Sequence, residues 1–521
     1  MMLQPAGGAS KPRAFLLNAA GWTLLASLPF ALCCAAIWTS ILGRCDGHFV
    51  FSLDDPYIHL ALAENIAHGH YGINLDTPSS PSSSILWPYL LAPLAHYNTP
   101  LTALVLNLVF AGCTLLLIGF CVTSLVPRSS PLDDAARRAI AALSLVFIAS
   151  LPALAFVGME HTLQVFLAGV CAWGFIRALD GRPIPASAIA AAIILPSVRY
   201  EGLAITLALA LALYVQRRRS LAFSTLLLSL LPLVLFSFYL HRLGLPLLPT
   251  SVIVKSGLQQ GLASKIVAAV INALLESAHL PLTVLLLATL YLARRAVTRE
   301  RRLLLYTAAL AEFLHLAIGP FGWFHRYEIA IEFFAVLVLL PNLFRADEVP
   351  LWTFALAMLP LTISGLYYVP RTPIASAATY RQQYQAHRFL TEIVSGNVAV
   401  NDLGLVSYQR RPGQNVVDLY GLGSPEAAST RNKDSAWMES MTTRHQVSWA
   451  IVYSDFYGSA IPNTWRHLGA ICIRTAQDVT VNDPCADYYS TPLIPTAQAD
   501  QAFARFAATL PPDRVTAYPA H

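Results

Sequence analysis

The chain has 521 residues, of which 56% are hydrophobic and only 12% are charged. Because soluble globular proteins usually carry about 25% charged residues, this composition excludes an ordinary soluble enzyme and favours a polytopic membrane protein. The formal net charge of +5 does not indicate a nucleic-acid partner, since the basic residues form short clusters between long apolar runs.

The first apolar run covers residues 14–42 and follows a basic stretch at 11–13. It is longer than the core of a signal peptide, which has about 7–15 residues, and it lacks a clear small-residue cleavage site. About 17–25 apolar residues are enough to span a bilayer. We therefore expect a retained first span with the N-terminus in the cytoplasm.

A short helix is predicted at residues 56–68, directly after two adjacent aspartates. Asp55 is a suitable N-cap, Pro56 fits the first helical position and Gly69 fits just past the C-terminal end. A helix of this length reaches only about 20 Å, so it should lie at the membrane interface with one apolar stripe buried. Asp54 then has no capping role, and an acid at the bilayer surface is costly unless it is solvated, paired or used.

The basic clusters farther along the chain predict the topology. They lie at residues 137–138, 177–182, 217–219 and 294–302, and the positive-inside rule places them all in the cytoplasm. About eleven spans satisfy this rule, at residues 14–42, 99–126, 139–157, 160–178, 184–198, 202–216, 220–241, 278–296, 303–319, 326–342 and 350–368. The first external loop, residues 43–98, and the C-terminal tail then lie on the far face.

One apolar segment, residues 83–97, is excluded from this count because Pro88 and Pro93 interrupt it. We expect it to be juxtamembrane or re-entrant. If it did span, there would be twelve spans and the tail would change sides.

The tail, residues 371–521, is more polar and predicts a small α/β domain. The segments "NVAVND" (397–402) and "QVSWAIVYSDF" (446–456) have the composition of strands. Asp402 and Asp418 follow strands and are expected to cap turns. Cys472 and Cys485 could form a disulfide if the domain is exported, but the sequence leaves this pairing open.

An ordered set of motifs between about residues 40 and 460 resembles the GT-C superfamily of membrane glycosyltransferases, which use polyprenyl-phosphate sugars as donors. The set comprises "SLDDPYIHLALAENIAHGHYGIN", "SSPSSSILWPYLLAPL", "GMEHTLQVFLAG", "SVRYEGLAITLALAL", "LPTSVIVKSG", "HRYEIAI", "VAVNDLGLVSY" and "VVDLYGLGSPE". The likeness is greatest to the bacterial subset that includes the actinobacterial terminal arabinofuranosyltransferases. Tyr200, Thr250 and Val252 depart from the family pattern, so neither the sugar nor the acceptor is specified.

The resemblance implies transfer of a sugar from a polyprenyl phosphate to a hydroxyl group, with inversion at the anomeric carbon. Because the phosphate leaves as a low-pKa anion, the reaction needs a carboxylate base for the acceptor but no general acid. By resemblance the base is Asp54 or Asp55, and Asp54 is favoured because Asp55 is the better cap. Glu160, a second acid on the far face, either orients the acceptor or caps the helix that follows it.

Fixed positive charges on the far face could stabilise the leaving phosphate, and the candidates are Lys255, Arg199 and Arg326. Each has a structural alternative. Lys255 could snorkel to lipid headgroups, and Arg326 could anchor the start of a helix. Arg199 could pair with Glu160 or Glu201 to hold helices together.

The remaining active-site candidates are His59, Glu201, His325 and Tyr327. The spacing of the histidines is not a metal-ligand signature, so no metal site is predicted. Some GT-C enzymes depend on a metal, and the sequence leaves a divalent cation open as a cofactor.

The sequence therefore predicts a mostly α, polytopic GT-C-like module, residues 1–370, and a periplasmic α/β domain, residues 371–521, at the bacterial inner membrane. The leading hypothesis is a glycosyltransferase whose partners are a polyprenyl-phosphate sugar and a cell-envelope glycan, glycolipid or protein acceptor. A transporter or flippase is one alternative, but the ionisable residues concentrate at one face and not near the bilayer midplane. A receptor or scaffold with an external binding domain is the other.

Overall fold

The computed structural model describes residues 10–97, 100–126, 130–256, 271–272, 275–345, 349–473, 480–510 and 515–519. The chain is mostly helical, with a small sheet domain at the C-terminal end. The first eleven helices are α1 Ser10–Arg44, α2 Asp55–Ala67, α3 Leu86–Leu91, α4 Pro100–Ser124, α5 Pro131–Ile148, α6 Leu151–Ala155, α7 His161–Leu179, α8 Ala186–Val198, α9 Gly202–Val215, α10 Arg219–Arg242 and α11 Thr250–Ser256.

The other described helices belong either to the helical bundle or to the C-terminal domain. The bundle helices are α12 Leu280–Arg295, α13 Arg299–Ile318, α14 Ile329–Arg345 and α15 Leu351–Arg381. The domain helices are α16 Gln383–Arg388, α17 Gly404–Ser407, α18 Pro425–Ser429, α19 Ser435–Arg444, α20 Ser454–Tyr457 and α21 Thr496–Ala507. A π-helical turn, Phe389–Ile393, extends α16. The predicted domain boundary at residue 370 falls within α15.

Among the described residues, six helical segments are long and apolar enough to cross a membrane, judged by length and composition. They are Ala14–Arg44, Pro100–Ser124, Pro131–Ala155, His161–Leu179, Arg219–Arg242 and Leu351–Ile393. Three shorter apolar helices are Ala186–Val198, Gly202–Val215 and Ile329–Phe344. Each predicted span overlaps one described helix, except that the span at 139–157 covers the end of α5 and all of α6, and the count of about eleven crossings stays a prediction. Residues 83–97 contain α3 and a 3₁₀ turn, Ala92–Leu94, which are too short to cross a bilayer.

Glycine allows close approach at two helix crossings in the bundle. At Gly119 of α4, an added Cβ would lie 2.1 Å from the Thr23 hydroxyl of α1. At Gly365 of α15, it would lie 1.7 Å from the Phe147 carbonyl oxygen of α5. Small residues are typical of such crossings in membranes, because lipid provides no hydrophobic driving force between helices and close van der Waals packing must hold them together.

The short helix after the two aspartates, α2, is more deeply buried than the sequence indicates. Nine of its thirteen residues are buried, so the expected single apolar stripe is wrong. The reason is that the C-terminal domain covers the face that would otherwise meet water. Helix α17 packs on α2, and the rings of Tyr57 and Tyr408 lie 5.8 Å apart.

The C-terminal domain is built on a six-stranded mixed sheet of order β2-β1-β3-β5-β4-β6. Its strands are β1 Asn397–Val400, β2 Val416–Asp418, β3 Val447–Val452, β4 Arg466–Ile473, β5 Cys485–Ser490 and β6 Val515–Pro519. Strands β2, β1 and β3 are parallel, and β5, β4 and β6 pair antiparallel. Cys472 and Cys485 are opposite each other on β4 and β5 and form a disulfide.

The carboxyl ends of the three parallel strands meet at one edge of the sheet. Asp402 follows β1, Asp418 ends β2 and Tyr453 follows β3. In open α/β sheets, functional side chains collect just outside the carboxyl ends of strands. This edge faces the first external loop, because the Asp54 carboxylate contacts the backbone of Gly404.

Candidate functional site

The two adjacent aspartates do not cap their own helix as predicted. Helix α2 begins at Asp55, so Asp54 occupies the N-cap position, and it makes no side-chain cap hydrogen bond there. The assignment of Asp55 as the cap and Pro56 as the first helical residue is therefore wrong. The physical reason is that both carboxylates have partners elsewhere in the molecule.

Asp54 caps a different helix, 350 residues away in the chain. The backbone N–H of Gly404 donates to Asp54 Oδ2 at 2.7 Å, and that of Leu405 donates to Oδ1 at 2.8 Å. These are the unpaired N–H groups at the start of α17, which an acceptor oxygen must satisfy. Asp54 therefore fastens the first external loop to the C-terminal domain.

Asp55 forms an ion pair with Arg326, whose Nη2 lies 2.5 Å from Asp55 Oδ2. Arg326 also donates to the Tyr327 hydroxyl at 2.9 Å and to the Met159 sulfur at 2.9 Å. Its Nε is buried and has no hydrogen-bond partner among the described residues. Three of the five N–H donors of Arg326 are thus used by neighbouring side chains, which hold the guanidinium in place.

Asp54, Asp55, Arg326 and Tyr327 line one cavity of about 410 Å³ between the membrane helices and the C-terminal domain. The domain contributes the opposite wall, through residues at or near the carboxyl edge of its sheet. These residues are Gln383, Asn401, Asp402, Leu403, Tyr420, Leu422, Tyr453 and Phe456. The structure therefore brings four of the predicted site residues together with a set that the sequence interpretation missed.

Asp402 is the main residue of that missed set. The Gln383 amide donates to its Oδ2 at 2.9 Å, and the Tyr453 hydroxyl donates to the same oxygen. The prediction that Asp402 caps a turn misses its place in the cavity, whereas Asp418 does cap a turn, accepting from the N–H groups of Tyr420, Gly421 and Gly423. The sequence shows only that Asp402 follows a predicted strand, and the position of that strand at the centre of the parallel set comes from the structure.

The cavity holds three carboxylates, and Arg326 is the one arginine or lysine among the described residues that line it. Burial raises the pKa of Asp54, and the charges of Asp402 and Asp55 raise it further, while the N–H groups of Leu405 and Gly404 oppose the rise. Burial also raises the pKa of Asp402, with a contribution from Asp55. The carboxylates are therefore held where protons bind more readily than in water.

Arg199 lies beside this cavity in a buried ion network. Its guanidinium donates to Glu160 at 2.9 Å and to Glu201 at 2.9 and 3.2 Å. It also donates to the Ser83 hydroxyl at 3.1 Å. All three of its nitrogens thus have protein partners, which matches the alternative in which Arg199 holds helices together.

Glu160 and His59 belong to the same network. Glu160 is fully buried, and its second oxygen lies 3.7 Å from His59 Nε2. His59 Nδ1 lies 3.2 Å from the Ser82 hydroxyl. Neither residue is among those that line the cavity, and Glu160 makes no side-chain cap bond at the start of α7. Among the described contacts, the Glu160 carboxylate accepts a hydrogen bond from Arg199 and does not cap α7.

The loop before Arg326 is strained. Trp323, Phe324 and His325 have positive φ angles of 46°, 68° and 59°, a conformation that costs non-glycine residues roughly 1–3 kcal/mol each. His325 is buried, with Nδ1 2.8 Å from Glu328 and Nε2 3.1 Å from Glu332. His325 is not among the described lining residues of the cavity, and its ion pairs hold the loop that presents Arg326.

A second cavity, of about 380 Å³, adjoins the first and shares Pro320 and Tyr327 with it. Arg199 and Glu201 line it together with a few other polar residues, and much of its remaining lining is apolar: Leu203, Ala204, Leu207, Val252, Leu314 and Ile318. The centroid of the Tyr327 ring lies 5.0 Å from the Arg199 guanidinium carbon and 4.8 Å from that of Arg326. Tyr327 therefore borders both cavities and contacts both arginines.

Lys255 lies on α11, whose Ser251 and Val252 line the second cavity and whose Val254 lines the first. The Lys255 side chain falls outside the described part of the structure, so its predicted contact with phosphate stays a prediction. Among the described residues, no three His, Cys, Asp or Glu side chains are grouped so that they could hold a metal ion.

The fold and the site together define a helical membrane-type protein whose C-terminal α/β domain covers a cavity lined by carboxylates. Residues 373–489 match the family described as "Domain of unknown function (DUF8728)". No curated protein matches the chain in sequence. A solved structure, the archaeal oligosaccharyltransferase AglB from Archaeoglobus fulgidus in complex with an inhibitory peptide and a dolichol-phosphate, is similar with a TM-score of 0.36 and 10% identity, over 90% of this chain and 75% of that chain.

Proposed function

We propose that this protein is an inverting glycosyltransferase that moves a sugar from a polyprenyl phosphate to an acceptor hydroxyl on the periplasmic face of a bacterial inner membrane. One observation carries the proposal. A single cavity brings Asp54, Asp55 and Arg326 together and adjoins a second, largely apolar cavity. A carboxylate base, a fixed cation and a space for a lipid are the three parts that this reaction needs.

Asp54 is the base in this proposal, for a reason that differs from helix capping. The two N–H bonds fix its orientation, and a carboxylate with about four lone-pair sites can still accept a proton. Burial and the neighbouring acids raise its pKa towards the range in which general bases work best. Asp55 instead positions Arg326.

Arg326, the one arginine or lysine among the described residues that line the cavity, binds the donor phosphate through its positive charge. Lys255, on the helix between the cavities, is the second proposed phosphate contact. The apolar second cavity takes the first part of the polyprenyl chain. The apolar residues of α9 and α13 that line this cavity favour a hydrocarbon ligand. A polar ligand would lose its hydration there and would not recover the lost hydrogen bonds.

The bond changes follow from these positions. Asp54 takes the proton of the acceptor hydroxyl, and the oxygen attacks the anomeric carbon of the donor. The bond from that carbon to the phosphate oxygen breaks, and its electron pair leaves with the polyprenyl phosphate beside Arg326. One displacement inverts the anomeric centre. No step requires a metal, although a divalent cation stays open as an aid to the leaving phosphate.

The test measures transfer by the full-length protein in lipid nanodiscs, with a panel of radiolabelled polyprenyl-phosphate sugars and an extract of envelope acceptors. Asp54→Asn cannot take a proton, so turnover should fall roughly 10²–10⁴-fold while donor binding persists. Asp76→Asn is the matched control, because this carboxylate lies in the same loop and is not among the lining residues of the cavity. Full turnover by Asp54→Asn would remove Asp54 from the mechanism, and no transfer by the wild type from any donor would overturn the function.

A further inference from the structure

A groove of about 720 Å³ continues outward from the catalytic cavity along the C-terminal domain. The two spaces share Val254, Tyr420 and Phe456, so a bound molecule can occupy both. The rest of the groove includes Arg431, Lys433 and Tyr457. This groove leaves the cavity on the domain side, whereas the apolar cavity leaves it between membrane helices.

Two exposed aromatic rings mark the passage between cavity and groove. Tyr420 is 38% exposed and Phe456 is 61% exposed, and their ring centroids lie 5.9 Å apart. Within the described part of residues 371–521, the other exposed large hydrophobic residue is Leu493. Two of these three side chains therefore lie at one opening, where a ligand that covers them would gain apolar contact.

Polar groups around these rings are fixed by the protein. Lys433 Nζ donates to the Tyr420 carbonyl oxygen at 2.6 Å and lies 5.7 Å from the Tyr420 ring, which restrains that residue. In the same cavity, Asp402 is held by Gln383 and Tyr453, and a carboxylate retains acceptor capacity for a further hydroxyl. One cavity thus carries two aromatic rings and a fixed carboxylate.

We propose that the C-terminal domain carries the acceptor subsite and that the acceptor is a carbohydrate, whose sugar ring stacks on Tyr420 and Phe456 while a hydroxyl donates to Asp402. A sugar ring presents C–H groups on its faces and hydroxyls at its edge, and the negative face of an aromatic ring attracts such C–H groups. A lipid tail would cover the two rings but would bring no further donor to Asp402, which already accepts from Gln383 and Tyr453. This inference rests on the proposed function.

The experiment applies fluorescently labelled full-length protein in nanodiscs to arrays of bacterial envelope oligosaccharides, with arrayed peptides and lipid vesicles as further arms. We expect wild type and Asp54→Asn to bind oligosaccharides. Phe456→Ala should weaken this binding at least tenfold and Phe456→Tyr should restore it. Leu493→Ala is the matched control and should bind as the wild type does.

The outcomes separate this inference from the proposed function. Phe456-dependent binding of oligosaccharides without transfer from any donor would support the subsite and overturn the glycosyltransferase. Transfer onto peptides or lipids, or wild-type protein that binds no oligosaccharide, would overturn the carbohydrate subsite. Equal binding by Phe456→Ala and wild type would also overturn it.

Discussion

At the scale of single residues, Asp54 and Asp55 are adjacent in the chain but have partners in different parts of the molecule. Asp54 accepts from the backbone of the C-terminal domain, and Asp55 accepts from Arg326 in the loop before α14. Charge-assisted bonds of this kind are stronger than neutral ones. In the proposed mechanism the two acids therefore have separate roles: Asp54 acts on the acceptor, and Asp55 positions Arg326.

Asp402 should affect the pH dependence of transfer through Asp54. Asp402 and Asp55 raise the pKa of Asp54, the N–H groups of Gly404 and Leu405 lower it, and Arg326 is paired with Asp55. A base must be deprotonated, so a raised pKa places the acid limb of the kcat/KM profile at higher pH. Asp402→Asn removes one negative charge, and the acid limb should move to lower pH.

The measurement is kcat/KM against pH for wild type and Asp402→Asn, with Asp76→Asn as the control. An acid limb that stays in place or moves to higher pH in Asp402→Asn would contradict the coupling. A change in acceptor KM alone would indicate that Asp402 acts on acceptor binding and not on the base.

At the scale of elements, the short helix α17 joins the first external loop to the rest of the C-terminal domain. The start of α17 has no room for a side chain at Gly404, because an added Cβ would lie 2.1 Å from the backbone oxygen of Asp54 and 2.3 Å from its carboxyl carbon. Real Cβ contacts are not this short, so the loop and the helix would have to separate. The position of Asp54 therefore depends on α17.

Gly404→Ala should lower turnover at least tenfold, because a displacement of about 1 Å at a reacting group can cost roughly 10²-fold. Gly112→Ala in α4 is the matched control, since an added Cβ there has no atom within 4 Å. The measurements are turnover and thermal unfolding of both variants. Full turnover by Gly404→Ala would show that the contact between Asp54 and α17 is not needed for catalysis.

At the scale of the whole molecule, the first external loop and the C-terminal domain share one hydrophobic cluster. It contains Ile58 and Trp87 from the loop and Leu403, Tyr408 and Trp449 from the domain. Burial of such a cluster stabilises their association. The two parts must therefore lie on the same side of the membrane.

We expect that side to be the outside of the cell, because the basic clusters agree on an odd number of spans. The disulfide between Cys472 and Cys485 is typical of exported domains. A reporter that is active only outside the membrane, fused after His521, should be active, and the same reporter placed after Arg218 is the cytoplasmic control. Activity of the second fusion but not the first would reverse the topology and the position of Asp54.

The sequence alone was sufficient for features that depend on local composition and spacing. Apolar runs predicted the membrane helices, because spanning a bilayer requires a minimum apolar length, and the change of composition predicted a C-terminal α/β domain. The ordered motifs identified Asp54, Asp55, Arg326 and Tyr327, which lie together in one cavity.

Only the tertiary structure decided what those residues contact. Whether a carboxylate caps its own helix or a helix 350 residues away depends on which N–H groups the packed domain brings near it, and no local pattern records that distance. For the same reason Asp402, Gln383 and Tyr453 could not be recognised as cavity residues. Each is a common polar residue at a strand end or helix start, and packing of the sheet edge against the external loop makes them part of one site.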